Sequence, residues 1–214
     1  VGFVHGNWAS EVRVRVPVVT GSAPTGVGML GTEWKPRLGK GIEGLVYGSF
    51  GRNARYPTLN DRFWQPGGNP DLLPETAWQA EAGIGAGSPA HHPAHWRLDL
   101  TAYQQWIAQW ILWQPTVGGF WRLENRQSVR SRGLEGRVYW SRAHSPRGRV
   151  WLRAALHLAQ TTSTTPGDLN RGLQLIYHPQ LSGQGQAGAS YRSCSLTVDV
   201  QHVGLRYTAS DHSA

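Results

Sequence analysis

Apolar and polar residues alternate with a period of two along most of this chain. Val12, Val14 and Val16 share one face of a segment whose other face carries Arg13 and Arg15. Trp78, Ala80, Ala82, Ile84 and Ala86 alternate with Gln79, Glu81, Gly83 and Gly85, and Leu98, Leu100 and Ala102 with Arg97, Asp99 and Thr101. Leu134, Gly136, Val138 and Trp140 oppose Glu135, Arg137 and Tyr139. Val150, Leu152, Ala154, Leu156 and Leu158 oppose Arg153 and His157, and Leu196, Val198 and Val200 oppose Thr197, Asp199 and Gln201. Successive side chains leave a pleated strand on opposite faces, whereas a helix returns to one face every three to four residues. The pattern therefore predicts an all-β chain of about nine antiparallel strands. Each segment has roughly the ten-residue length that crosses a bilayer when tilted. An apolar face against lipid and a charged face toward water is the dyad pattern of a transmembrane β-barrel. A soluble β-sandwich alternates in the same way, so periodicity by itself leaves both readings open.

The connections differ in kind. Residues 35–40, 87–95 and 144–147 read as compact turns, and residues 56–75, 114–127 and 161–171 as long loops rich in Gly, Pro and aromatics. Short turns at one end and long loops at the other fit a membrane barrel. About nine tilted strands do not close around a wide lumen. With no linker or shift of composition, residues 1–214 are expected to be one part of a larger barrel domain.

Composition sharpens the picture. The chain holds 11 Trp, 27 Gly and 13 Pro in 214 residues, with 39% hydrophobic residues, so it has aromatic surface and turns but little material for an oily core. The formal charge of +8 raises nucleic acid as a partner. The arginines are placed singly on alternating segments, and no recognition helix, zinc-finger spacing or RNA-binding signature accompanies them, which argues for no nucleic acid. A positive lumen or loop surface attracting anionic ligands accounts for the same charge. Cys194 stands alone, so the chain has no internal disulfide and no thiolate metal cluster. Residues 1–10 lack a signal-peptide pattern. The longest uncharged stretch, 103–121, is broken by glutamines, Pro115 and Gly118-Gly119, so any membrane crossing falls to strands.

Residues 48–75 read GSFGRNARYPTLNDRFWQPGGNPDLLPE. Pro57 has no N–H for a ladder, so the strand before it ends at Arg55. Gly67-Gly68 and Asn69-Pro70 form turns, and Asp71 and Glu75 beside them can accept backbone N–H groups. Arg55, Pro57, Thr58, Leu59, Asn60 and Asp61, followed by Asn69, Pro70, Asp71, Leu72, Pro74 and Glu75, resemble two ordered signatures of the TonB-dependent outer-membrane receptors. Later segments keep the family order. Trp113-Gln114-Pro115 onward is similar to the Trp- and Gly-rich loop of the branch that includes cobalamin receptors, and Arg132-Gly133-Leu134-Glu135 to the strand opening after it. Leu175-Ile176-Tyr177-His178-Pro179 and Val203-Gly204-Leu205-Arg206-Tyr207 match two further strand landmarks. The resemblance runs over roughly residues 12–211.

The resemblance implies a partial antiparallel transmembrane β-barrel, about nine of the family's twenty-two strands, in the outer membrane of a Gram-negative bacterium. It places the plug domain and the terminal strands outside these residues. It implies active import of a scarce nutrient, a ferric siderophore or cobalamin, with the TonB complex acting through the plug and outer-membrane lipid around the wall. No resident cofactor is implied. Haem receptors of the family carry a histidine between the two loop signatures, and residues 55–72 hold none.

Several residues are candidates for function. The twelve signature residues are expected to brace the rim structurally. Arg62, Trp64, Trp113, Trp121 and Arg122 are candidate loop contacts to ligand. Trp106 and Trp110 fit an aromatic girdle, while Trp113 and Trp121 fit girdle or ligand platform equally well. Arg13, Arg15, Arg97, Arg137 and Arg153 are expected to face the lumen, either lining an anion path or neutralised by plug carboxylates. His91, His92 and His95 stand close enough to share a cation, but no carboxylate or thiolate joins them, and no metal site is expected. Ser145, Ser182 and Ser190 lack a nucleophile-elbow context, so no enzyme activity is expected. Two alternatives remain at this stage. One is a secreted β-sandwich binding carbohydrate through exposed Trp residues, which predicts a soluble monomer. The other is a gene fragment without function of its own.

Overall fold

The computed structural model describes residues 1–20, 22, 24–39, 41–89, 92–116 and 118–209. Ten strands form one sheet in which each pairs with the next in chain order. They are β1 (Gly2–His5), β2 (Trp8–Arg15), β3 (Val27–Trp34), β4 (Glu43–Arg55), β5 (Glu75–Gly87), β6 (Ala94–Pro115), β7 (Trp121–Ser145), β8 (Gly148–Ser163), β9 (Leu181–Tyr191) and β10 (Cys194–Val203). One short helix, α1 (Leu59–Phe63), lies between β4 and β5. The count is ten against the expected nine or so, and the chain is a partial antiparallel barrel wall.

Register turns the alternation of single segments into two continuous faces. Trp34, Val46, Ile84, Leu100, Gly136 and Leu156 stand in one cross-strand row. Thr32, Gly48, Ala82, Ala102, Leu134, Leu158 and Leu181 form the next. Ile84, Leu134 and Leu156 on this face remain exposed, Leu156 to 61%. Soluble monomers rarely show contiguous apolar patches beyond a few hundred Å², whereas against lipid such a face is in its preferred solvent. Aromatic pairs mark both margins of the band. Trp8 stacks on Trp34 at 5.7 Å near the short-turn end, and Phe50 on Trp78 at 5.2 Å near the long-loop end.

The opposite face is polar and largely neutralised within itself. Arg13 meets Glu11 at 2.6 Å, Arg97 meets Asp99 at 2.8 Å and Arg137 meets Glu135 at 2.9 Å. Each pair lies two residues apart on one strand, the spacing that keeps side chains on one face. Tyr103 and His157 share a 2.8 Å hydrogen bond, and the Tyr47 hydroxyl bonds that of Thr101 at 2.6 Å. Three aromatic rings use cross-strand glycines as seats. Tyr47, Tyr103 and Trp151 fill the space where side chains of Gly83, Gly133 and Gly188 would stand, each glycine being the residue directly paired with its aromatic.

The connections sort by length. Residues 6–7, 35–42, 88–93, 146–147 and 192–193 join strands at one end, and residues 16–26, 56–74, 116–120 and 164–180 at the other. Three expectations need correction. The loop expected at residues 161–171 begins only after β8 ends at Ser163 and runs on to residue 180. Residues 114–127 are not one loop, because the β6–β7 ladder continues to Pro115 opposite Trp121 and leaves only a tip at 116–120. The segment Leu175 to Pro179 is not a strand but part of the loop before β9. The other landmark, at Val203 to Tyr207, begins on the last residue of β10 and continues beyond the strand. The two landmarks nonetheless meet, the Tyr177 N–H donating to the Tyr207 carbonyl at 2.9 Å.

A charge placed at mid-band on the lipid side costs a barrel roughly 2–4 kcal/mol. In the full-length protein folded into lipid vesicles, Leu134→Arg is expected to lower stability by about that amount. Glu135→Gln, one residue along on the other face, should change it by no more than about 1 kcal/mol. Urea unfolding in vesicles checks the pair, and equal losses would reverse the assignment of faces.

Candidate functional site

The long-loop end carries the best-built assembly outside the ladder. β4 stops at Arg55, and the chain turns through Tyr56-Pro57 into α1. Thr58 caps the helix. Its hydroxyl accepts the Asp61 N–H at 3.1 Å while the Asp61 carboxylate accepts the Thr58 N–H at 2.8 Å. This reciprocal pair satisfies two donors that a helix start leaves open. Arg55 then ties helix to wall, reaching Asp61 at 3.5 Å and Glu75 at 3.0 Å. The same Glu75 oxygen accepts the Ile111 N–H at 2.7 Å, so one carboxylate joins β4, β5 and β6.

Beyond Gly68 the loop lies down on the β6–β7 hairpin. The Asn69 amide donates to the Leu123 carbonyl at 3.1 Å, and the Leu123 N–H donates to the Gly67 carbonyl at 2.9 Å. Asn125 clamps the other end. Its oxygen accepts the Leu73 N–H at 2.9 Å, and its amide donates to the carbonyls of Leu73 at 3.0 Å and Gln109 at 2.7 Å. Leu72, Ile111 and Leu123 close over one another as a small buried cluster between loop and hairpin. Gly67 has φ +111°, and a side chain there would strike the Trp113 ring and the Trp121 carbonyl. Only glycine lets the loop approach so closely.

The signature residues thus divide. Arg55, Thr58, Asp61, Asn69, Leu72 and Glu75 brace the rim through the contacts above. Pro57 is buried, whereas Leu59 is 78% exposed. Among the candidate ligand contacts, Trp64, Trp113 and Trp121 gather around the Gly67-Gly68 turn and keep exposed surface. Trp113 and Trp121 sit in the ladder, opposite Leu123 and Pro115, and share one face of the hairpin. Arg62 is drawn to the side, donating to the Ser22 hydroxyl at 2.5 Å. Arg122 pairs with Gln114 in the ladder and so projects from the other face. Phe63 and Phe120, which the sequence pattern does not single out, add exposed aromatic surface to the same rim. The role of Asn125 is likewise hidden in the sequence, for an Asn in a Trp- and Gly-rich stretch looks like any turn former. The capping box is readable in Thr58-Leu59-Asn60-Asp61.

Of the lumen candidates, Arg13, Arg97 and Arg137 carry their own carboxylates, and Arg153 lies over the Trp151 ring at 4.7 Å. Arg15 is exposed at the last position of β2. Trp106 is exposed on the apolar face, in register with Trp78, and Trp110 meets the His178 ring edge-on at 5.7 Å. Burial holds His178 below the ordinary histidine range. His91 lies outside the described residues. The His92 Nδ1 stands against the Ala94 backbone, 2.9 Å from its carbonyl oxygen and 3.3 Å from its nitrogen, and His95 packs on Tyr139. Among the described residues no three His, Cys, Asp or Glu side chains gather as a metal set.

The sequence model of the family described as TonB dependent receptor-like, beta-barrel, matches residues 17–213. The chain belongs to the TonB-dependent receptor family. Among similar proteins of this kind, the vitamin B12 transporter BtuB of Vibrio vulnificus is 36% identical over 103 residues, covering 46% of this chain and 16% of that protein. The vitamin B12 transporter BtuB of Photobacterium profundum is 32% identical over 94 residues, covering 42% of this chain and 15% of that protein. The aligned part of this TonB-dependent receptor chain therefore spans less than a fifth of each relative's length.

Two outcomes test the rim. Asn125→Ala removes three hydrogen bonds at once, and each broken bond costs roughly 1 kcal/mol. Hydrogen exchange in residues 66–74 should rise at least tenfold, with β8 unchanged. The second concerns pH. A histidine whose folded value is depressed stabilises its loop above the unfolded value, and that contribution is lost as pH falls through the folded value. Acidification below the ordinary histidine range should therefore loosen residues 173–180, and His178→Phe should abolish the effect. Exchange rates across that range are the measurement.

Proposed function

We propose that this chain supplies part of the wall and extracellular rim of an outer-membrane importer that takes up cobalamin. The observation that carries the reading is the loop braced onto the β6–β7 hairpin, with Trp64, Trp113 and Trp121 left exposed around it. The two relatives named above, both vitamin B12 transporters, support cobalamin over a ferric siderophore. A large, partly planar, partly apolar ligand suits such a surface, because indole rings offer broad contact with little conformational freedom to lose. Transport would be energised by the TonB complex acting on a plug domain inside the completed barrel. The polar face would line that interior, its charges mostly balanced in place, and outer-membrane lipid would cover the apolar face. Arg62 and Arg122 remain weaker contact candidates, since one is engaged by Ser22 and the other projects from the opposite side of the hairpin.

The full-length receptor in detergent should bind cyanocobalamin saturably and a ferric siderophore not at all. Trp113→Ala and Trp121→Ala should each weaken binding about two- to twelvefold, the loss of about 0.5–1.5 kcal/mol per aromatic contact. Isothermal titration checks both. Siderophore binding without cobalamin binding would move the substrate to the other class, and unchanged affinity in both variants would remove the aromatic rim from the site.

A further inference from the structure

The apolar face does not run unbroken to the long loops. Above its band, register places Arg52, Trp78, Trp106, Arg130 and Thr162 in one cross-strand row. Phe50, Ala80, Gln104, Arg132 and Gln160 stand in the row below, still on the side that carries Leu134 and Leu158. Several polar-face arginines have carboxylate partners, although Arg149 and Arg153 rest on neutral groups instead. On the polar face, Arg13, Arg97 and Arg137 each hold a carboxylate two residues away. On the apolar face and among the described residues, Arg132 reaches only the neutral Gln160 side-chain oxygen, at 2.9 and 2.7 Å, and Arg52 only the Gly26 carbonyl, at 3.5 Å. Among the described residues no carboxylate lies within ion-pair distance of Arg52, Arg130 or Arg132.

We propose that Arg130 and Arg132, flanked by Gln104, Gln160 and Trp106, form a binding site for the phosphate of a lipid headgroup in the outer leaflet. The proposal rests on reading this chain as a membrane wall with its long loops outward. A guanidinium at the margin of hydrocarbon needs an anion there, and lipid phosphate stands at that depth. The arginine stem lies along apolar surface while its planar head reaches the interface. Its fork of donors matches phosphate oxygens two at a time. Arg130 and Arg132 are two residues apart on one strand and project from the same side, so both can converge on one headgroup. Gln160 holds the Arg132 head through Nε and Nη2 and orients it without neutralising it. Trp78 and Trp106 supply the amphipathic rings that sit at headgroup level. Surface attraction to anionic lipid elsewhere uses clustered basic residues in the same way.

The test takes the full-length receptor folded into phosphatidylcholine vesicles that contain a minor fraction of phosphorylated lipid A or of its dephosphorylated form. Lipid retained after mild detergent extraction is counted by native mass spectrometry. The phosphorylated form should be retained at least fivefold over the dephosphorylated one. Arg130→Gln combined with Arg132→Gln should bring it down to the dephosphorylated level. Arg149→Gln, on the polar face and bonded to Tyr139 and Ser141, should leave retention unchanged. Millimolar inorganic phosphate should not displace the lipid; displacement would assign the site to a free anion and overturn the lipid reading. Heat-modifiable mobility in gels reports insertion separately. A wild-type protein that does not insert ends the membrane reading and this site with it. An inserted barrel that retains both lipid forms equally overturns the phosphate site alone.

Discussion

Hydrocarbon offers no partner to a peptide N–H or C=O, and this one constraint shapes the wall. Each strand answers it by pairing with its neighbours along its length, from β1 through β10. A single-layer sheet follows, and with it the loss of an ordinary core: among the described residues only Leu72, Ile111, Leu123 and Val129, with Pro57, are buried apolar side chains. Stability must then come from the ladder, from charge pairs and ring-on-glycine packing on the polar face and, on the reading proposed above, from lipid against the apolar face. The small number of buried residues is the expected result of a protein whose apolar solvent lies outside it.

Where the wall leaves the membrane, the logic inverts. The long loops have to be held by polar side chains bonding to backbone, since water is now available to loosen them. Glu75 and Asn125 each serve several partners, and a short apolar cluster seals the junction between them. This makes residues 56–74 and the β6–β7 hairpin one body in mechanical terms. Trp113 and Trp121 are thereby mounted on strands rather than on a free loop, and surfaces meant to recognise ligand gain from such support.

Much of this is legible in the sequence. Strong alternation in β2, β5, β6, β7, β8 and β10 reveals both faces and the sense of the barrel. The weaker strands hide for physical reasons. β1 has only four residues, too few to establish a period. In β3, Gly28 and Met29 blur the two faces, and in β9 the apolar face beyond Leu181 continues as Gly183, Gly185, Ala187 and Ala189, which carry little hydropathy. The β6–β7 extension reads as loop because Gln114, Pro115 and Gly118-Gly119 have loop composition. It persists as ladder because residues 56–74 cover Ile111 and Leu123, a tertiary effect outside any local window. Of the candidate site, the motif itself is visible. The partners that brace it, such as Glu75 reaching Ile111 and Asn125 reaching Leu73, depend on contacts between segments far apart in the chain.

The three rings seated on glycines carry a consequence for motion. Tyr47, Tyr103 and Trp151 occupy volume that belongs to a neighbouring residue and not to the space in front of the sheet. Large side chains are in this way countersunk into the wall. A body housed against that surface would meet few protruding pegs, and Arg13, Arg97 and Arg137 already hold carboxylates of their own. On the reading proposed above, such a lining would act as a bearing, centring an enclosed domain while offering low resistance to its turning or withdrawal.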